Sequence, residues 1–357
     1  AFTSREIERI KAFSQARGFD LAYYPGMKPA EANLYNLLPA PYLYEGAMAM
    51  LGPGREAYLQ DYKFNISPAS DDRPYFFYFF KWRALPEILA LQAAGKVQVM
   101  EWGYVILVAT LVQVVPVTLV LILLPLRMLR RTARKEGRKP QGLFWRVVAY
   151  FAALGMAFMF IEIAFMQRFI LFLSHPLYAI SVVLCAFLLF AGLGSGYSAR
   201  FSRWLLSGGE RSVMRSPVIP AVGAIILIGF AYLLSLPWMF EQLSFLPEVA
   251  RVVVTLVLIA PLAFCMGMPF PLGLGQVAEH AQELVPWAWA INGCASVLAA
   301  VLATLLAIHF GFTTVIVLAL GFYALAAGMI GKTPFSASDT PPWPRSHNSA
   351  TISARMS

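Results

Sequence analysis

Hydrophobic positions in this chain fall into blocks about twenty residues long, separated by short polar loops, and that spacing governs the rest of the reading. A helix crossing a hydrocarbon core of roughly 30 Å needs about 20 consecutive apolar residues. Seven blocks meet that requirement: Tyr104–Leu126, Val147 to about Phe165, Leu177–Ala199, Val218–Leu236, Val252–Leu274, Trp287–Phe310 and Thr313–Ile330. Residues 1–97 have a different texture. Thr3 and Glu6 form a capping-box pair ahead of the run REIERIKAFSQAR, which Gly18 can end. Phe19–Tyr24 alternates as a short strand closed by Pro25-Gly26, and Tyr42–Leu51 forms a second helix stopped by Gly52-Pro53-Gly54. The stretch from Tyr62 to Trp82 is strand-like around a turn at SPASDDRP.

The expected fold is an all-α polytopic membrane protein of about seven transmembrane helices (98–331) with a small N-terminal α/β segment (1–97). A Pro- and Ser-rich tail (332–357) is predicted disordered. One strand, two helices and an extended stretch bury too little to be a whole α/β core. The chain opens on Ala1 and not Met, without a signal-peptide pattern in its first residues, which processing or truncation would each explain. The thin core favours the incomplete end of a domain that begins upstream.

Composition agrees with the blocks. The 357 residues are 59% hydrophobic and 13% charged, against about a quarter charged in a soluble domain. The net charge of +9 does not indicate a nucleic-acid partner, because the basic residues flank apolar blocks and are accounted for by membrane topology. The loop after the first block carries eight of them (Arg127, Arg130, Arg131, Arg134, Lys135, Arg138, Lys139, Arg146) against Glu136. Arg200–Arg215 carries four against Glu210. Both loops have the same parity, which places them in the cytoplasm and residues 1–97 on the opposite, periplasmic face of a bacterial inner membrane. Cys185, Cys265 and Cys294 lie inside apolar blocks without CxxC or Cys/His spacing, so neither a metal site nor a structural disulfide is expected.

The run Ser67–Tyr78, SPASDDRPYFFY, resembles the closing motif of spermidine-synthase-like domains, with Ser70 where a threonine is usual. FDLAYYPG is similar to the late strand of that Rossmann-like domain. FMFIEIAFMQRFILFLSHPLYAISVVL, AGLGSGYS, MPFPLGLG and PWAWAINGCASVLAAVLAT resemble large bacterial membrane proteins that join such a domain to helices. The resemblance implies that residues 1–97 are the tail of such a domain. It carries no catalytic or cofactor-binding residue with it, since the glycine-rich loop, the acidic ribose ligand and the catalytic acids have no counterpart in 1–97. Either the cofactor half precedes this chain or the domain is a non-catalytic remnant, and no cofactor is expected here.

Several polar residues are candidates for function. Asp71, Asp72 and Arg73 are either a substrate-binding acidic pair or a turn whose carboxylates collect backbone amides. The following YFFYFFKWR reads as an interfacial anchor, with Lys81 and Arg83 directed at lipid phosphate. Glu162 lies inside the second block, where ionised carboxylates are costly. It is either a proton, ion or substrate site, or a group held protonated or paired that locks packing. Arg168 and His175 are expected at the membrane boundary. Gly192-x-x-x-Gly196 reads as a helix close-packing motif and not as a nucleotide loop, having no strand before it. Pro269 and Pro271 break a span, with Asn292 and Ser296 on the next helix, so a binding cavity and a packed kink are both open there.

Three functions remain. The first is a non-catalytic subunit of a membrane complex, whose partners are the lipid bilayer and other proteins. The second is a transporter or channel using Glu162 and the break near Pro269. The third is an aminopropyltransferase-like or methyltransferase-like enzyme lacking its catalytic half.

Overall fold

The computed structural model describes residues 2–36, 38–87, 90, 102–135, 141–207 and 216–331. The predicted tail, Arg138, Lys139, and the Glu210–Arg215 part of the second basic loop lie outside the described residues. The chain forms two compact units: Ala1–Ala69 with Phe76–Trp102, and Ser70–Tyr75 with the residues from Gly103 onward.

The first unit contains α1 (Ser4–Arg17), α2 (Tyr42–Leu51) and α3 (Arg55–Asp61). The capping box on α1 forms as its sequence requires: the Thr3 amide donates to the Glu6 carboxylate at 2.8 Å, and the Glu6 amide donates back to Thr3 Oγ1 at 3.4 Å. Gly18 takes the left-handed conformation, φ +67°, that closes the helix. The expected strand at Phe19–Tyr24 does not form. No strand exists among the described residues, only an isolated bridge between Ser70 and Arg73. An extended run needs a neighbour to pair its backbone. Here Asp20, in the middle of that run, instead gathers the amides of Leu34, Tyr35 and Asn36 and folds the following loop back onto it. The segment is therefore helical and irregular where α/β was expected.

Lys81 and Arg83 also depart from expectation. The Lys81 ammonium donates to the carbonyls of Leu59, Gln60 and Tyr62 at 2.8–3.0 Å, and Arg83 Nη2 donates to those of Gln60 and Tyr62. Both cations cap the negative C-terminal end of α3, a use that competes with lipid phosphate.

In the second unit, seven helices among the described residues are long and apolar enough to cross a membrane. They are α4 (Trp102–Lys135), α5 (Gln141–Leu173), α6 (Pro176–Ser207), α7 (Val218–Leu243), the pair α8 (Glu248–Met266) and α9 (Pro269–His280) acting as one broken span, α10 (Val285–Phe310) and α11 (Phe312–Gly331). Each matches a predicted block, usually extended by a turn or two.

The bundle is built around α5, which packs against α6, α8, α10 and α11. Its Phe151, Phe160, Phe165 and Phe169 are buried, and α10 meets it with Ala288, Ala295, Ala299, Ala303 and Ala307. Small side chains at four-residue spacing let the axes come close, and the phenylalanines fill what remains. Gly155 marks one such approach, since a Cβ there would lie 2.6 Å from the Asn292 carbonyl oxygen.

Between α6 and α8 the close approach uses an unexpected glycine. Gly192 and Gly196 are exposed and have open space beside them. Gly194 is buried instead, and a Cβ there would run into the backbone of Phe264, while one at Gly267 would run into the backbone of Ala191. The close approach therefore uses the middle one of three alternating glycines and not the pair at four-residue spacing.

The break between α8 and α9 falls at Gly267-Met268. Pro269 and Pro271 occupy the first turn of α9, where the missing N–H groups would have had no helical acceptor. The Pro269 carbonyl accepts a 2.6 Å hydrogen bond from the buried Tyr150 hydroxyl, and Gly273 leaves room for that ring. The kink is thus packed by an aromatic side chain.

Candidate functional site

Helix α11 begins at Phe312 directly after α10, and the connecting residue Gly311 offers no side chain to cap its free amides. Its φ of +87° is one that glycine adopts without strain. The cap comes from 240 residues earlier in the chain. The Asp72 carbonyl accepts from the Phe312 amide at 3.0 Å, and Asp72 Oδ1 accepts from the Thr313 amide at 2.8 Å and the Thr313 hydroxyl at 2.7 Å. A Cβ on Gly311 would collide with the Asp72 carboxylate and crowd its carbonyl, so glycine suits the close approach as well as the φ.

Arg168, near the end of α5, completes the cluster. Its Nη2 donates to Asp72 Oδ1 at 3.2 Å and to Thr313 Oγ1 at 2.9 Å. The threonine hydroxyl thus accepts from the guanidinium and donates to the carboxylate. Arg168 is only 9% exposed, whereas the Asp72 side chain is 38% exposed. The second guanidinium nitrogen, Nη1, is buried without a hydrogen-bond partner. Tyr75 packs its ring on Phe312 with centroids 5.8 Å apart, and its buried hydroxyl is also unpartnered. Burial pushes that hydroxyl well above the ordinary tyrosine range.

The candidates from sequence therefore separate. Asp72 and Arg168 are brought together across 96 residues, and Arg168, near the end of α5, is buried among protein atoms. Asp71 and Arg73 are exposed, on a turn closed by mutual Ser70–Arg73 backbone bonds. His175 is exposed on the turn leading into α6. Asn292 is on α10, donating to the Phe151 carbonyl at 3.1 Å. Glu162 is 4% exposed on α5, its Oε1 buried without a partner. Thr313 and Gly311 went unmarked in the sequence. Their signal was a helix start, GFTT, with no N-cap side chain of its own, which requires a cap from elsewhere.

Chemically, the cluster offers a carboxylate, a guanidinium and a helix N-terminus that neutralise one another. No group of three His, Cys, Asp or Glu side chains suited to a metal ion occurs among the described residues. Comparison with protein-family models, curated proteins and solved structures finds no match.

Other charged residues act on helix ends in the same way. Arg146 Nη2 donates to the Met329 carbonyl at 2.7 Å, at the C-terminal end of α11. Arg251 Nη1 donates to the Phe172 carbonyl at 3.2 Å and to Ser174 Oγ at 3.3 Å, at the end of α5. Tyr104, in the first turn of α4, shares a 3.0 Å hydrogen bond with His309, in the last turn of α10.

Proposed function

We propose that this multi-pass membrane protein is a non-catalytic subunit of a larger assembly in a bacterial inner membrane, with Asp72 on the periplasmic side. The supporting observation is the Asp72–Arg168–Thr313 cluster, in which the charged side chains tie the end of α5 to the start of α11. A partner surface is offered by residues 2–87, where Phe2, Phe13, Tyr42, Leu51, Phe76 and Phe77 are all more than half exposed. Phe76 and Phe77 lie against each other with ring centroids 3.8 Å apart, an exposed aromatic pair that a partner could cover. The eight-to-one basic bias after the first span supports the orientation. The resemblance to spermidine-synthase-like domains belongs to the same proposal, as the origin of the first 97 residues.

Sizing in mild detergent tests the assembly. The wild-type chain should migrate with a partner, and Phe76→Ser with Phe77→Ser should reduce it to its own mass while leaving its helical signal intact. An unchanged mass overturns the reading. Orientation is tested with single cysteines at 71 and 134 in a cysteine-free background: an impermeant maleimide added to intact cells should reach 71 only. Labelling at 134 alone would reverse the topology.

The transporter reading keeps one specific observation, the buried and unpartnered Glu162. Ion flux in proteoliposomes that Glu162→Gln abolishes would favour it over the subunit. Micromolar binding of decarboxylated S-adenosylmethionine, measured by calorimetry on the purified chain, would favour the enzyme.

A further inference from the structure

We propose that Arg168, Thr313 and the first amides of α11 form an oxyanion site, and that Asp72 is the chain's own occupant of it. The inference is independent of whether the protein is a subunit or a transporter.

Three donors converge on the single oxygen Asp72 Oδ1: the Thr313 amide, the Thr313 hydroxyl and Arg168 Nη2. A guanidinium presents a planar fork matched to two oxygens of a carboxylate or phosphate. Asp72 engages only one prong, and the other, Nη1, is buried with nothing to donate to. A helix capped merely for stability would need no buried arginine, still less one with an unused donor, because an unmet buried donor is costly. The donor set is therefore larger than its present occupant uses.

The site also has an opening and a cradle. Thr313 is exposed and the Asp72 side chain is 38% exposed, so the anion faces outward while the arginine is walled in. Gly311 has no Cβ where Asp72 Oδ2 and the Asp72 carbonyl now lie, which leaves space for more than one anion oxygen beside the Phe312 and Thr313 amides. The occupant is carried on the turn Ser70–Arg73, which can lift off without unwinding a helix. The external ligand that fits is an oxyanion of carboxylate or phosphate type, either free or as a lipid headgroup at this end of the bundle.

The test uses the full chain with Asp72→Ala in dodecyl maltoside micelles, which carry no phosphate. Removing the carboxylate should lower the thermal midpoint by a few degrees. Inorganic phosphate should restore it, and chloride at equal ionic strength should not. Adding phosphatidylglycerol to the micelles, without inorganic phosphate, is the second arm. Recovery in the first arm assigns the site to a soluble oxyanion, and recovery in the second assigns it to a headgroup. Absence of recovery in both overturns the proposal, as does equal recovery by chloride or recovery that survives Arg168→Gln. If Asp72→Ala fails to fold, Asp72→Asn keeps a capping oxygen while removing the charge, and the same arms apply.

Discussion

Adding one methyl group at Gly194 distinguishes the packing seen here from the packing its sequence suggested. The Cβ of Gly194→Ala would overlap the carbonyl oxygen, carbonyl carbon and Cα of Phe264. Those atoms are backbone, so no rotamer change relieves the overlap and α6 must move away from α8. Overpacking of this kind typically costs about 1–3 kcal/mol. Separation also loosens the reciprocal contact of Gly267 with Ala191 at the same crossing. A gap of about 0.5–1 Å forfeits a quarter to a half of each atom-pair well of about 0.1–0.2 kcal/mol, so some twenty pairs lose about 1 kcal/mol more. Against this, alanine is about 1 kcal/mol better than glycine within a helix. The net expectation is a loss of about 1–3 kcal/mol. Gly192→Ala and Gly196→Ala enter open space and should be neutral or slightly stabilising. Reversible unfolding in mixed micelles, followed by helical circular dichroism, measures all three. Gly267→Ala should behave like Gly194→Ala, and the double variant should lose less than the sum, because one separation serves both. A Gly194→Ala protein as stable as wild type, or Gly196→Ala equally damaged, would refute the close approach.

Three further outcomes are expected. Tyr150→Phe removes the hydroxyl that donates to the Pro269 carbonyl and should cost about 0.5–1.5 kcal/mol in the same unfolding assay, with no loss if the kink is not packed by that hydroxyl. Glu162→Met should leave stability unchanged or raised, since Oε1 has no partner to strand, and failure to fold would show a hidden one. Glu31 is held at about 2 by the Lys28 amide first, then by the Tyr24 hydroxyl and Lys11, against an ordinary 4.5. A depressed folded-state value stabilises above the unfolded value and is lost on acidification. Hydrogen exchange at the Lys28 amide should therefore accelerate as pH falls from about 4.5 to about 2, beyond the intrinsic trend, and Glu31→Gln should remove that excess.

What sequence reveals here depends on how local the determinant is. Each span is set by about twenty consecutive side chains, and all seven were legible. Thr3, Glu6 and Gly18 act within four residues of the groups they satisfy, and Tyr42–Leu51 stands between Pro41 and Gly52, so α1 and α2 were legible too. Phe19–Tyr24 has strand-like alternation, but a strand is a property of two segments, and the described residues supply no second one. Gly194 differs from Gly192 and Gly196 only in what α8 places opposite it. Asp72 reads as a turn or an acidic-pair residue and Arg168 as a boundary residue, because nothing within 90 residues of either hints at the other. The unmarked start of α11 held the missing clue, legible only once a helix without a cap is treated as a demand on the rest of the chain.

The charged residues at helix ends follow a single electrostatic rule. Asp72 sits at the positive N-terminal end of α11, while Arg146 sits at its negative C-terminal end. Arg251 serves the C-terminal end of α5, and Lys81 and Arg83 serve that of α3. Each of these five signs opposes the helix dipole it faces, and each of these side chains reaches a backbone group at or next to a helix end, while Arg168 reaches the start of α11 through the Thr313 hydroxyl. A helix end leaves such groups unpaired, and burying one without a partner costs about 1–3 kcal/mol. Long-range caps therefore fix which helix ends lie together and in which direction, as specifically as an ion pair fixes a register. Glu162 is the exception. It is buried in the central helix, far from either end, and relieves no backbone group. Whatever retains a carboxyl there is not the force that placed the other charges, so its loss should register in an activity before it registers in the fold.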